Sequence, residues 1–306
     1  MNAAIVIVSW NGREDLLECL ASLEKLEPPR PRIIVVDNGS TDGTGETVRE
    51  RYPAVELVTI PENLGFAGGN NRGIGRALEG GAEFVCLLNN DTVVDPGFLN
   101  RLLRAADQHP RAGILGSRVL YRSRPATVWS QGIAAGRHTG RVLAPHHNRS
   151  VTVVPGRPER VDGVSGAAML LRAETLRETG RFDEDYYLCF EDLDLCLRAR
   201  EKGWEVMTAP ASIVYHSVSR SMGGEYSSRA VYYSTRNHFL LFRRRFPLPL
   251  LLRGFRNLLI ALYTLLFALF TAGFRPLPWS RGLLDYFRGR LGKMPDKFAL
   301  DSSGPE

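Results

Sequence analysis

A small set of acidic residues and one histidine stand where they could do chemistry. Asp37 closes the apolar run Arg32-Ile33-Ile34-Val35-Val36 and precedes the turn Asn38-Gly39-Ser40. A carboxylate there can accept a base N–H or ribose hydroxyls, and capping of the turn is its plain structural use. Asp91 follows Phe84–Leu88 behind Asn89 and Asn90, a donor set suited to a hard divalent cation that also takes phosphate oxygens. Glu191, Asp192 and Asp194 fall in the first turn of a predicted helix over Phe190–Lys202, where acids also complement the helix dipole. Helical spacing puts Glu191 and Asp194 on nearby faces and turns Asp192 elsewhere, so one acid can serve chemistry while the others hold the helix. His216 follows a predicted strand, Ser212–Tyr215, and is either a metal ligand or a satisfied polar histidine.

These residues need a frame that brings them together. Apolar runs predict strands at Ala4–Ser9, Arg32–Asp37, Val55–Ile60 and Phe84–Leu88, separated by predicted helices at Glu14–Leu26, Thr44–Tyr52 and Asn70–Glu79. Continuous apolar strands alternating with helices predict an α/β fold with a mostly parallel sheet covered on both faces. Ligands then bind outside the carboxyl ends of the strands. Those ends carry Ser9-Trp10-Asn11, Asp37–Ser40, Pro61-Glu62-Asn63 and Asn89-Asn90-Asp91, so four polar ends share one rim. The Gly-rich stretch Asn63-Leu64-Gly65-Phe66-Ala67-Gly68-Gly69-Asn70 leads into a helix, where backbone amides could approach an anion. It holds neither G-x-G-x-x-G nor a P-loop, so neither cofactor motif is indicated. Further on, 118–160 reads as long loops or irregular strands, Val164–Leu171 as a strand and Ala173–Thr179 as a short helix. Val206–Tyr215 reads as an edge strand interrupted by Pro210.

The 306 residues are 44% hydrophobic and 24% charged, which excludes wholesale disorder and low-complexity fibres. Cys19, Cys86, Cys189 and Cys196 form no CxxC pair and read as buried thiols of a reducing compartment, not as a disulfide frame or zinc site. Met1–Trp10 lacks a basic leader, so a secretory signal is not expected.

Charge is unevenly spread. Residues 226–306 hold 13 Lys/Arg against 4 Asp/Glu, a net of +9, leaving −3 for residues 1–225. Arg243-Arg244-Arg245, Arg253 and Arg256 precede the uncharged run Leu258–Phe274, whose 17 residues would span about 25 Å as a helix. That is short of the roughly 30 Å hydrocarbon core. A short span, half of a re-entrant hairpin and a helix lying in the interface all fit, as does a buried soluble helix. The flanking arginines favour lipid.

Six co-linear stretches carry a resemblance. Val8–Asn11, Val36–Thr44, Asn63–Asn71, Leu87–Thr92, Ser165–Arg172 and Phe182–Asp194 make residues 3–240 resemble family 2 glycosyltransferases of the GT-A fold, rhamnosyltransferase-like members above all. The resemblance implies a nucleotide-sugar donor, a divalent metal (Mg²⁺ or Mn²⁺) bridging its diphosphate, and inversion at the anomeric carbon. Asp192 would be the catalytic base with Glu191 beside it. Ser9, Asn11, Asp37, Asn63, Gly65, Asn70 and Asn90 would bind the donor. Asp91, Asn89 and His216 would hold the metal. Two departures stand out: Asn89 replaces the first acid of the family's D-x-D, and no arginine accompanies Gly68-Gly69-Asn70.

On this reading 1–225 form the transferase domain and 226–306 a helical membrane-associating extension. The expected donor is dTDP-L-rhamnose, with UDP-sugars as the alternative, and the expected acceptor is a saccharide or lipid-linked glycan. An anionic membrane surface would be met through 243–290, at the inner face of the plasma membrane, and nucleic acid is not an expected partner. A sugar-1-phosphate nucleotidyltransferase would want a basic Gly-rich loop after the first strand, where Ser9-Trp10-Asn11-Gly12-Arg13 stands. A non-catalytic membrane-bound module on a degenerate transferase core would tolerate loss of Asp192.

Overall fold

The computed structural model describes residues 2–218 and 227–295. Apolar runs rich in Ile and Val, buried on both faces, become β1 (Ala3–Ser9), β2 (Arg32–Asn38) and β4 (Phe84–Asn89), while β3 (Glu56–Ile60) lies beside β2. They pair in parallel in the order β3-β2-β1-β4, crossed over by α1 (Arg13–Leu23), α2 (Thr44–Arg51) and α3 (Gly65–Glu79). The chain continues through β5 (Thr92–Val94), α4 (Phe98–Gln108), β6 (Ala112–Tyr121) and β7 (Val128–Ser130). After the short β8 (Ala134–Ala135) and β9 (Val142–Leu143) come β10 (Ala168–Arg172), α5 (Ala173–Thr179), α6 (Glu191–Glu201) and β11 (Glu205–His216).

β10 runs antiparallel to both β4 and β6, so β6 and its parallel partner β11 point the same way as the first four strands. The carboxyl ends of β1, β2, β4 and β11 therefore share one rim. One apolar core lies between the sheet and α1 and α4, with Leu16, Leu20, Phe98 and Leu102 at its centre. The other lies under α3, α5 and α6, around Ile74, Leu176 and Leu195.

Several elements differ from expectation. α3 starts at Gly65, not Asn70, so the Gly-rich stretch forms the helix's opening turns. Its glycines bring the helix down on the sheet: a Cβ on Gly73 would stand 2.2 Å from Val6 Cγ1. Part of 118–160 is regular, because β6 runs to Tyr121 and β7 pairs with it. β11 is not an edge strand; β6 and β5 flank it, and the ladder shifts register between Ala209 and Ile213, where Pro210 sits. Cys19, Cys86 and Cys196 are buried free thiols, whereas Cys189 is half-buried.

Three helices end the described chain: α7 (Ser228–Arg245), α8 (Leu250–Leu266), extended by a π turn over Phe267–Thr271, and α9 (Pro276–Phe287). Phe239, Leu240, Leu241 and Phe242 of α7 pack with Ile260 and Tyr286 against Tyr186, Leu193 and Leu197. The helix over Leu250–Thr271 contains an 18-residue stretch of mean hydropathy 1.6, of which only 22% is buried. By length and composition it is apolar enough to cross a membrane. The expected boundary at 225/226 lies outside the described residues.

Candidate active site

The rim encloses a cavity of about 320 Å³ lined by Asn63, Gly65, Asn89, Asn90, Asp91, Glu191, Asp192 and His216. Eight of the predicted site residues thus meet in one place, although they come from four separate segments. Ser9 lies just beneath: it is 1% exposed and its hydroxyl accepts from Asn90 Nδ2 at 3.2 Å.

Asn11, Asp37 and Asn70 do not line the cavity. Asn11 ties the exit of β1 to the turn after β2, donating its N–H to Ser40 Oγ and accepting from Thr41 N at 2.8 Å. Asp37 is buried and accepts from Ser40 N at 3.0 Å, its turn-capping use. Asn70 is buried with Nδ2 on Phe66 O.

The lip at residues 63–65 is held by Asn38. Its Nδ2 donates to Asn63 Oδ1 and Gly65 O, and its Oδ1 accepts from Leu64 N. Gly65 has φ +73, and a Cβ there would lie 2.4 Å from Tyr187 O. Glycine is required twice over, by conformation and by space.

Asp91 and His216 are 5% and 3% exposed, and Asp91 Oδ1 lies 2.9 Å from His216 Nε2. Asp91 Oδ1 nonetheless has no partner in hydrogen-bonding geometry. Neighbouring ligands of an octahedral Mg²⁺, each at about 2.1 Å, stand roughly 3 Å apart, so an orphaned oxygen and a ring nitrogen at this separation suit a shared cation. Asn89 Nδ2 is 3.4 Å from the same ring nitrogen, and Trp129 packs edge-on against the imidazole at 4.6 Å. Among the described residues no group of three His, Cys, Asp or Glu gathers for a metal. A cation here would complete its shell with phosphate oxygens.

Opposite, Asp192 accepts from Gly166 N at 3.0 Å through Oδ2 and from Leu193 N at 2.7 Å through Oδ1. Its pKa is raised, because burial outweighs those two N–H groups, which favour the anion. Glu191 is pushed well above the usual carboxylate range by burial first and the Asp192 charge second, and its Oε2 has no partner. Two N–H donors favour the anion on Asp192 and Oε2 of Glu191 has none, so Asp192 is the better placed of the two to act as a base.

Sequence reasoning missed three features. Arg229, at the start of α7, reaches the cavity with its guanidinium 5.5 Å from the Trp10 ring centroid. Tyr187, Leu188 and Cys189 form a wall in which Tyr187, Cys189 and the following Phe190 have φ of 63, 69 and 73. That left-handed run is fastened from α7. Asn237 Nδ2 lies 2.9, 2.7 and 2.9 Å from the carbonyls of Tyr186, Leu188 and Cys189, and Arg236 Nη2 donates to Asp185 O and Tyr186 O. No local motif marks these residues, since their roles depend on contacts about fifty positions away.

The model of the family described as glycosyltransferase like family 2 matches residues 2–235. The N-acetylglucosaminyl-diphospho-decaprenol L-rhamnosyltransferase of Mycobacterium tuberculosis is 33% identical over 277 residues, covering 82% of this chain and 89% of that protein. Among solved structures, S. aureus TarS 1-349 in complex with UDP-GlcNAc superposes with a TM-score of 0.58 at 16% identity, covering 95% of this chain and 82% of the other. A mannosyltransferase of Pyrobaculum calidifontis in complex with GDP-Man and Mn²⁺ superposes at 0.56 and 18% identity, covering 96% and 76%.

Proposed function

Because this chain belongs to glycosyltransferase family 2, with the GT-A fold, and takes its sugar from a nucleotide-sugar donor, we propose that it is an inverting rhamnosyltransferase. It moves L-rhamnose from dTDP-L-rhamnose to a hydroxyl of a lipid-linked saccharide in cell-surface polysaccharide assembly. The name of the Mycobacterium tuberculosis relative supports both the sugar and the lipid diphosphate acceptor. The observation that carries the chemistry is the convergence of Asp192 with the Asp91–His216 pair on one cavity.

Asp192 takes the proton of the acceptor hydroxyl as that oxygen attacks C1 of the sugar, and the nucleoside diphosphate leaves from the opposite face. The Gly166 and Leu193 N–H groups fix the carboxylate for this step. Burial disfavours a charge on Glu191, which weakens any anion competing with Asp192. Asp91 and His216, with Asn89 beside them, would hold Mg²⁺ or Mn²⁺, and that ion would supply Lewis-acid stabilisation of charge on the leaving diphosphate. Arg229 and the Trp10 face offer the donor a cation and a stacking surface at the same mouth.

Residues 1–225 carry the catalytic carboxylates, and 226–306 serve as an extension whose α7 also closes the site and whose later helices meet the cytoplasmic face of the membrane. Exposed Leu251, Phe255, Leu258, Leu262, Phe270 and Phe274 and the surplus arginines support that placement.

A melting series with dTDP, UDP and GDP, with and without Mn²⁺, tests the donor site. A ligand at 100 times its Kd adds about 2.7 kcal/mol, enough for a shift of several degrees. A metal-dependent shift selective for dTDP supports the proposal. A shift selective for UDP moves the donor to a UDP-sugar, and none with any nucleotide removes the donor site.

A further inference from the structure

α7, α8 and α9 enclose a second cavity, of about 390 Å³, far along α7 from the active site. It has the character of an anion site with an apolar rim. Leu250, Arg253, Gly254 and Asn257 of α8 line it at the i, i+3, i+4, i+7 spacing of one helix face. Arg243 of α7 and Phe287 of α9 close it.

Its two cations have no acid partner among the described residues. Of the three consecutive arginines ending α7, Arg244 pairs with Asp183 and Asp185, and Arg245 with Asp194 and Glu201. Arg243 has no carboxylate partner among the described residues; its guanidinium lies 5.3 Å from the Tyr286 ring centroid. Arg253 has none either, whereas the buried Arg256 one turn on spends its guanidinium on the carbonyls of Arg137, Phe242 and Phe246. Two guanidinium groups at one cleft with no anion between them are matched by a phosphate, which takes several charge-assisted hydrogen bonds.

Two more features match a lipid. A Cβ on Gly254 would meet no atom within 4 Å, so packing does not demand glycine at this helical position. A glycine there costs about 1 kcal/mol relative to alanine, and its effect is to leave the cleft floor open. The rim is apolar and bare, with Leu250 71% and Phe287 68% exposed. A free phosphate ion gains nothing from such a collar, whereas an acyl chain attached to the phosphate does.

We propose that this cleft binds the phosphate of an anionic membrane lipid, with Arg243 and Arg253 as its ligands and the lipid chains on the apolar rim. The proposal rests on the membrane contact proposed above and turns a diffuse charge attraction into a defined site.

The test uses the full chain with sedimenting vesicles of phosphatidylcholine alone or with phosphatidylglycerol. Wild type binds the anionic vesicles. Arg243→Gln/Arg253→Gln weakens that binding at least tenfold, and Gly254→Leu, which fills the cleft without changing charge, weakens it severalfold. Arg288→Gln/Arg290→Gln, an equal charge loss at exposed residues just past the end of α9, has a smaller effect than the first pair. Equal losses from the two arginine pairs, or wild-type binding by Gly254→Leu, overturn the site while the membrane contact stands. Failure of wild type to bind either vesicle overturns the membrane contact and the site with it. Displacement from vesicles by millimolar inorganic phosphate assigns the cleft to the free ion and overturns the lipid.

Discussion

Replacing Asn237 by alanine tests whether the C-terminal helix sets the geometry of the catalytic wall. Asn237 is fully buried, and its amide is the clamp on the segment that runs into Glu191 and Asp192. Tyr186 O keeps Arg236 as a donor after the substitution, while Leu188 O and Cys189 O lose Nδ2. A buried carbonyl left without its donor costs about 1–3 kcal/mol; these two are half-buried at the cavity wall, so the low end applies and together they cost roughly 2 kcal/mol. The left-handed residues Tyr187, Cys189 and Phe190 are conformations that persist only when their surroundings impose them, so the wall relaxes once the clamp is gone. At about 2–4 °C per kcal/mol, the melting temperature falls by roughly 4–8 °C. A displacement of about 1 Å at the reacting centre costs on the order of 10²-fold in rate. Transfer measured well below the melting point of the variant therefore shows kcat reduced by ten- to a hundredfold, with nucleotide-induced stabilisation retained. Asn237→Asp, nearly equal in volume, sets a carboxylate against the same carbonyls and is at least as harmful. A variant that melts lower but keeps full kcat would refute the positioning role; an unchanged melting point would refute the clamp itself.

Three other perturbations have defined outcomes. Gly65→Ala places a Cβ 2.4 Å from Tyr187 O at φ +73, and should lower stability by about 2 kcal/mol or more in a denaturant titration; an unchanged midpoint contradicts the close approach. Glu191 has a pKa raised by burial, so its stabilising contribution is whole below the ordinary carboxylate range and is lost as pH rises through the raised value. Glu191→Gln should thus melt with wild type near pH 4 and at least about 2 °C higher at pH 8, one pKa unit being about 1.4 kcal/mol. The same difference at both pH values would show that Glu191 does not titrate in this way. His216→Ala should abolish the extra stabilisation that Mn²⁺ adds to a nucleotide while leaving any metal-independent part; an undiminished Mn²⁺ effect moves the metal elsewhere.

β1, β2 and β4 were legible because each is a mostly continuous apolar run buried on both faces, a pattern that survives without knowledge of neighbours, while the half-exposed β3 followed from its place in the alternation. β6 was not, because Gly113, Gly116 and Arg118 break its run. The glycines answer to packing: a Cβ on Gly113 would stand 2.4 Å from Thr175 Oγ1, and one on Gly116 2.5 Å from Val164 Cβ. β11 read as an edge strand because Pro210 lacks an N–H, yet a bulge accommodates it inside the sheet.

At the site, residues that end strands or open α6 announced themselves by type and place. Asp91, His216, Glu191 and Asp192 were found that way, and they do meet in one cavity. The Gly-rich segment misled in part, since its glycines serve helix–sheet contact as well as the lip at Gly65. Asn237 and Arg236 were invisible, because a buried amide or guanidinium in an amphipathic helix has no local signature until the loop it holds is known.

The most direct measurement follows labelled sugar from dTDP-L-rhamnose, with Mn²⁺, to a polyprenyl-diphosphate N-acetylglucosamine acceptor in anionic vesicles. The account predicts transfer by the full chain and a loss of about 10²–10⁴-fold in Asp192→Asn, which keeps the melting shift with dTDP and Mn²⁺. Transfer by Asp192→Asn at the wild-type rate would contradict the assignment of the base. Absence of transfer from this donor, with turnover of a UDP-sugar in its place, would contradict the rhamnosyl donor.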